Sequence, residues 1–315
     1  MQLYKQRDFS SFFSDTFEFI RLNGKHFFKY FFIINGFFVL ILAALSYVFS
    51  QLFLNDLLLS ANLGGFSTAT DTIINGNPVL FILLLVSMVI VGLFFAVLSY
   101  AYTPIYFRLY EKTETTNFST REIVNAFKSN AGKILLYLIL GFLLFLVLII
   151  PLVITGAILA ITLVGILLLP LLVGFVAGLY NMTLLEFINQ NTKSFFDCFG
   201  YAWKLISSKF WPAVGCMGIF YFISYLIQIS LSFLQSIFNL STSLTVPDTA
   251  LTDGNTSVVY LFLTIVLFVI SFLVGIILNC ILQINQSIVY FGLKEMHENI
   301  NTKSEIDLIG GDLEA

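Results

Sequence analysis

The chain has 315 residues, of which 58% are hydrophobic and only 10% are charged, and its mean hydropathy is +0.95. A water-soluble fold has too little interior to hide so much apolar surface, so this composition excludes an ordinary soluble domain. The formal net charge of −3 gives no reason to expect a nucleic-acid partner. The composition therefore predicts an all-α integral membrane protein whose partner is the lipid bilayer.

Six segments are long and apolar enough to cross a bilayer, whose hydrocarbon core of about 30 Å needs about 20 helical residues. The third and fourth segments run together in one apolar tract. In this tract a reversal is predicted at Thr155, Gly156 and Ala157, which follow Pro151. The predicted spans are 26–53, 78–107, 133–153, 161–188, 210–238 and 258–291.

The distribution of basic residues predicts the orientation, because cytoplasmic loops retain Lys and Arg. A six-span arrangement places all fifteen on one side, whereas loops 54–77 and 239–257 on the other side carry only aspartates as charged residues. Both termini are therefore predicted to be cytoplasmic. The alternative is a cleaved signal peptide ending near Ala43 and Ala44, although the apolar segment continues through Phe53. The basic residues are Lys5, Arg7, Arg21, Lys25, Lys29, Arg108, Lys112, Arg121, Lys128, Lys133, Lys193, Lys204, Lys209, Lys294 and Lys303.

Three segments on the basic side have aromatic residues at helical spacing but are too polar to span the membrane. Each precedes two predicted spans, which indicates three pseudo-repeats of a cytoplasmic interfacial amphipathic helix followed by a transmembrane hairpin. The repeats cover about 8–107, 119–188 and 194–291. Ser119 with Glu122, and Ser194 with Asp197, have the spacing of a helix capping box. The predicted interfacial anchors are Phe17, Lys25, Phe127, Lys133, Trp203, Lys209 and Trp211.

The predicted domain organisation is a single six-helix membrane domain at 1–291 and an acidic cytoplasmic tail at 292–315. Two interpretations of the tail stay open: a docking strand for a protein partner, or a solvated and poorly ordered terminus. Its acidic residues are Glu295, Glu298, Glu305, Asp307, Asp312 and Glu314.

The second and third repeats align where Ala-Phe-Lys at 126–128 matches Ala-Trp-Lys at 202–204, each followed after five residues by Lys133 or Lys209. With the Lys-Phe-Trp segment at 209–211, this layout resembles the membrane domain that accompanies some glycerophosphodiester phosphodiesterases, and the related YciC-like and other uncharacterised families. The resemblance covers nearly the whole chain. It implies a bacterial inner-membrane protein without an established activity. The catalytic carboxylates and histidines of a phosphodiesterase are not found in this sequence.

The sequence offers little for catalysis, because His26 and His297 lie near opposite ends of the chain without a partner motif. Motifs for metalloproteases, serine hydrolases, nucleotide-driven enzymes and dinucleotide-binding enzymes are missing. Cys198, Cys216 and Cys280 lie far apart and indicate neither a zinc site nor a disulfide framework. We therefore predict a non-enzymatic protein that needs no cofactor and no metal.

Two stripes of uncharged polar residues lie within predicted spans, where they must face protein or water. Either these side chains form hydrogen bonds between helices, or the two stripes together line a path across the membrane. The stripe on the fifth span consists of Ser224, Gln228, Ser232, Gln235 and Asn239, and the stripe on the sixth span of Asn279, Gln283, Gln286 and Tyr290.

Two further features lie on the fourth span. Glu186, toward its cytoplasmic end, is interpreted either as an interfacial carboxylate neutralised by Lys193 or an amphipathic helix, or as a gate or proton site. Gly174 and Gly178 form a GxxxG pair, which predicts close helix packing within the monomer.

Two functions follow as hypotheses. The first is a non-enzymatic membrane protein that interacts with lipid or holds partner proteins through its cytoplasmic face or tail. The second is a transporter or permeability factor for a lipid-like or amphipathic solute, which the polar stripes motivate. Amides that line a cavity would favour the second hypothesis, and amides buried between helices would remove its main motive. The sequence defines neither the ligand nor the oligomeric state.

Overall fold

Long helices account for almost all of the computed structural model, which describes residues 1–49, 77–190, 192–245 and 254–301. Most of the two predicted loops at 54–77 and 239–257, and most of the acidic tail, lie outside these residues. Six of the helices, all except α5, are long and apolar enough to cross a membrane. This confirms the prediction of an all-helical, multi-pass membrane protein. The helices are α1 (Phe9–Phe49), α2 (Pro78–Thr113), α3 (Thr120–Ala160), α4 (Leu163–Asn189), α5 (Phe195–Ser208), α6 (Phe210–Thr245) and α7 (Gly254–Glu298).

Side-chain caps mark where several helices begin. Asn77 accepts a hydrogen bond from the amide of Leu80 at the start of α2, and Pro78 occupies the first turn, where a missing N–H is tolerated. Both predicted capping boxes are present, at the starts of α3 and α5. In each box a serine and an acidic residue three positions later satisfy amides that have no partner within the helix.

The reversal between α3 and α4 lies farther along the chain than predicted. The expectation of a turn at 155–157 is wrong, because α3 continues through these residues to Ala160 and the chain reverses at Ile161 and Thr162. Inside a bilayer an early break would leave backbone groups without partners. Thr162 ends the tract because its hydroxyl caps α4 by accepting from the amide of Gly165 at 2.9 Å.

The amphipathic segments differ from the expectation of three separate interfacial helices. The first two are continuous with the spans that follow, since α1 and α3 each run unbroken for 41 residues. At 1.5 Å per residue each helix is about 61 Å long, twice the hydrocarbon thickness, so both extend well beyond a bilayer core. Only the third segment, α5, forms a helix of its own.

A proline explains why the amphipathic segment is separated from the following span only in the third repeat, between α5 and α6. Pro212 is the third residue of α6, has no N–H to donate to the carbonyl of Ser208, and its ring would clash with that carbonyl in a continuous helix. The first backbone hydrogen bond of α6 accordingly runs from Ala213 to the carbonyl of Lys209 at 3.1 Å. In the aligned second repeat the equivalent position is Leu136, and α3 passes through it unbroken.

The buried core lies toward one end of the bundle. There α1, α2 and α7 meet in an aromatic cluster, in which Phe19 stacks on Phe107 with ring centroids 4.8 Å apart and Phe107 stacks on Phe291 at 5.9 Å. Toward the other end α2 and α3 expose many apolar side chains, such as Val79 and Val147, as expected for helices that face lipid.

We call the end that holds the core the charged end. It contains the described residues Arg7, Glu111, Lys133, Glu186 and Lys294, which join the amino-terminal segment, the end of α2, the start of α3, the end of α4 and the end of α7.

Candidate functional site

A cavity of about 1310 Å³ lies between α2, α3, α4 and α7. It is larger than the roughly 300–1,000 Å³ typical of sites for drug-sized ligands. On α3 its lining runs from Tyr137 to Gly156, about 28 Å at 1.5 Å per residue, which is close to the thickness of a hydrocarbon core. The cavity is therefore elongated along the helices.

Its walls are almost entirely apolar. Leu93, Phe142 and Val153 line it and are about three-fifths exposed, so the cavity reaches the surface of the bundle beside them. Gly156 and Gly275 also line it, and a Cβ atom built on either glycine would meet nothing within 4 Å.

Three tyrosines form a polar end, on the side nearer the charged end. Tyr137 donates a hydrogen bond to the backbone carbonyl of Tyr180 at 2.7 Å, and Tyr180 donates to the carbonyl of Gly141 at 3.3 Å. The hydroxyl of Tyr100 lies 3.5 Å from that of Tyr137. The protons of Tyr137 and Tyr180 are thus directed to the backbone, so buried Tyr137 can only accept in its contact with Tyr100, and the oxygen of Tyr180 remains available as an acceptor.

An amide pair on α7 completes the polar end. Gln283 donates from Nε2 to Oδ1 of Asn279 at 2.7 Å, and both residues line the cavity. Asn279 is exposed, whereas Gln283 is 6% exposed and its Oε1 is buried without a hydrogen-bond partner. A buried unpaired acceptor carries a desolvation cost of about 1–3 kcal/mol unless a ligand supplies a donor.

The structure brings only part of the predicted polar path together. Asn279 and Gln283 line the cavity, and Gln286 instead donates to the hydroxyl of Tyr221 at 3.1 Å. The sixth-span stripe therefore divides between a cavity wall and a contact between helices.

The fifth-span stripe lies elsewhere, on α6, and does not line the cavity. Buried Ser224 accepts a hydrogen bond from exposed Gln228 at 3.3 Å, and Gln235 is half-buried. The side chain of Asn239 lies outside the described residues. The two predicted stripes thus do not line the same cavity.

Glu186 forms a buried ion cluster at the charged end. Its carboxylate is fully buried, lies 2.6 Å from the amine of Lys193 and 3.2 Å from that of Lys294, and accepts a hydrogen bond of 2.5 Å from Tyr290. This confirms the interpretation that Lys193 neutralises it. Burial is the largest single influence on the pKa of Lys193 and lowers it, but the hydrogen bond to Glu186 and the negative charges around the amine together leave that pKa raised above the ordinary value.

The amino-terminal segment packs onto the charged end. Buried Arg7 donates to the carboxylate of Asp15 at 2.8 Å and to the carbonyl of Leu3 at 2.6 Å. Tyr4 donates to the carboxylate of Glu111 at 2.5 Å. These contacts cover the core at the end where most of the charged side chains lie.

Three of the four predicted aromatic anchors are exposed, and two of these three also pack on the bundle. Phe17 is 47% exposed and stacks on Phe220 with ring centroids 5.5 Å apart. Trp203 is 51% exposed and meets Phe175 edge-on at 5.5 Å, while Trp211 is 74% exposed. The same side chains thus contact both the protein and its surroundings.

The remaining predicted anchors, Lys25, Phe127, Lys133 and Lys209, differ in their exposure and in their contacts with the bundle. Lys133 donates to three carbonyls at the end of α4, the shortest being that of Gln190 at 2.8 Å, and so acts as a cap of that helix. Phe127 is half-buried, and Lys25 and Lys209 are exposed.

Sequence reasoning missed Tyr100, Tyr137 and the glycines of the cavity. Tyr137 carries a detectable signal, because a tyrosine one turn into an apolar span after Lys133 places a hydroxyl inside the membrane. Gly156 and Gly275 carry no detectable signal, since a glycine beside a cavity looks the same in sequence as a glycine in a helix contact.

In the part of the chain that the structure describes, no group of three His, Cys, Asp or Glu residues could hold a metal ion. No family model, no curated protein and no solved structure matches the chain.

Proposed function

We propose that this protein binds an amphipathic, lipid-like molecule within the membrane, in the cavity between α2, α3, α4 and α7. The observation that carries the proposal is the shape and chemistry of that cavity, which is long and largely apolar, with three tyrosine hydroxyls and the Asn279–Gln283 amide pair toward one end. We further propose an inner-membrane location in a bacterium with the charged end in the cytoplasm, which the sidedness of the basic residues supports.

An apolar chain suits these walls better than water or a polar solute. Water needs two to four polar partners at each position, and Leu, Val and Phe side chains offer none. Each methylene group buried from water contributes about 0.8 kcal/mol, although a lipid already in the bilayer gains less than this. Selectivity for one ligand must therefore come mainly from the polar end.

Native mass spectrometry of the full chain, purified in mild detergent, tests the proposal. We expect the wild-type protein to retain a bound amphiphile, and Gly275→Phe or Gly156→Phe to lose it, because each side chain would grow into open cavity space. Gly92→Phe is the matched control, since its Cβ also meets nothing within 4 Å but Gly92 does not line the cavity. Equal ligand retention by all four proteins would rule out the cavity as the binding site.

A second function, movement of an amphipathic lipid between leaflets, is favoured by the length of the cavity, whose α3 wall is comparable with the hydrocarbon thickness. In liposomes that contain fluorescent phospholipid, dithionite would then bleach more than the outer-leaflet half when the protein is present. Gly275→Phe would abolish this excess and Gly92→Phe would not. Bleaching that stops at half with wild-type protein would exclude this function and leave binding intact.

A further inference from the structure

The hydrogen-bonding groups of the cavity do not suit an ionic ligand. Among the residues that the structure describes, no charged residue lines it. Glu186, at the charged end beyond the tyrosines, is already paired with Lys193 and Lys294. A phosphate or carboxylate headgroup would lie here without a cation, and an ammonium group without an anion. Either buried charge would be left uncompensated, which is strongly unfavourable.

The same groups do suit a hydroxyl. The Oε1 of Gln283 has no hydrogen-bond partner and can accept from a ligand. Exposed Asn279, whose oxygen already accepts from Gln283, has an amide NH₂ that can donate to the same ligand. The hydroxyl of half-buried Tyr180, whose proton is donated to a backbone carbonyl, adds an acceptor. A ligand that both donates and accepts matches this set, and an alcohol does both with one oxygen atom.

We therefore propose that the ligand is an uncharged alcohol lipid, with an apolar chain along the cavity and a free hydroxyl group on the Asn279–Gln283 amide pair. This inference rests on the proposed lipid-binding function and adds the class of ligand and its direction. The hydroxyl end points toward the charged end, because the tyrosines and Gln283 lie on that side of the cavity. The chain extends past Gly275 toward Gly156.

Photolabelling of the full chain in phosphatidylcholine nanodiscs tests the inference with four probes. They share one long diazirine-bearing alkyl chain and differ only at its end: a free alcohol, its methyl ether, a phosphate monoester and a primary amine. We expect the alcohol to label cavity-lining peptides about tenfold more strongly than the ether, because the ether lacks the donor that Gln283 requires. The phosphate and the amine should label no better than the ether.

Two variants locate the recognition. Gln283→Leu should reduce labelling by the alcohol to the level of the ether, whereas Gln228→Leu, a glutamine on α6 outside the cavity, should leave the tenfold preference unchanged. The comparison of the four probes on the wild-type chain does not depend on either variant folding. Equal labelling by alcohol and ether, or stronger labelling by phosphate or amine, would overturn the alcohol-lipid inference while leaving lipid binding intact. No cavity labelling by any probe would overturn the proposed function as well.

Discussion

The buried carboxylate of Glu186 on α4 joins α7 to the segment between α4 and α5. We expect Glu186→Gln to destabilise the protein by about 3 kcal/mol, because Lys294, which is 5% exposed, would keep its charge without a counter-ion. Lys193 suffers less, since its side chain is 36% exposed and can turn to solvent. Thermal unfolding in detergent, followed by circular dichroism, measures the loss.

The double variant Glu186→Gln/Lys294→Met separates charge pairing from simple loss of packing. Removing both charges should recover about 1–2 kcal/mol relative to Glu186→Gln alone. Exposed Lys204→Met on α5 is the control and should change little. Additive losses in the double variant would show that the two side chains are not energetically coupled.

Cys198, beside this ion cluster, should be an unreactive thiol. It is fully buried, and burial, followed by the charge of Glu186, raises its pKa to about 11 from the ordinary 9.0. Because the thiolate is the reactive form, the fraction available at pH 8 falls about a hundredfold. Maleimide labelling at pH 8, read by peptide mass spectrometry, should therefore leave Cys198 unmodified until the protein is denatured.

Ser207→Cys provides the matched comparison on the same helix, because Ser207 is exposed. Its thiol should react within minutes under the same conditions. Labelling of Cys198 at a similar rate in the native protein would mean that α5 does not pack against the bundle in the arrangement described.

At the scale of helices, close packing of α4 on α6 depends on glycine. A Cβ atom at Gly174 would lie 3.0 Å from the backbone nitrogen of Gly218 and 3.1 Å from the carbonyl carbon of Met217, so α4 and α6 would have to separate. This confirms the predicted packing of the GxxxG pair within the monomer. We expect Gly174→Val to destabilise the fold by about 2 kcal/mol in thermal unfolding.

The control for this substitution is Gly92→Val on α2, where a Cβ would meet nothing within 4 Å. It introduces the same β-branched residue into a helix without a backbone collision. A loss as large as that of Gly174→Val would indicate that helix propensity, and not helix packing, sets the cost.

The sequence predicted the helices better than their ends. Hydropathy alone located the spans, since a bilayer requires a minimum run of apolar residues whatever the helices pack against. It misplaced the α3–α4 turn, because Thr155 and Gly156 are tolerated inside a membrane helix, where Thr155 donates to the carbonyl of Pro151 at 2.8 Å. The continuity of α1 and α3 was missed because amphipathic and apolar segments differ in composition and not in helix-forming ability.

The cavity itself could not be predicted, because it is a gap between four helices. Periodicity shows that Asn279 and Gln283 share a face, yet nothing in a single sequence shows that α2, α3 and α4 stand apart at that face. The α6 stripe had equally good spacing and does not line the cavity. Polar spacing therefore indicated which polar residues share a helix face, and only the arrangement of whole helices shows which of them line the cavity.

The orientation of the whole molecule gives the last prediction. If the charged end is cytoplasmic, a cysteine at exposed Ser207 and one at exposed Ile161, in the α3–α4 turn, lie on opposite sides of the membrane. A membrane-impermeant maleimide should then label Ile161→Cys in whole cells whose outer membrane has been permeabilised. The same reagent should label Ser207→Cys only in inverted inner-membrane vesicles. The buried native thiols give little background. The reverse pattern would place the basic residues outside, contrary to the cytoplasmic retention of Lys and Arg on which the orientation rests. It would also turn the alcohol end of the proposed ligand toward the opposite leaflet.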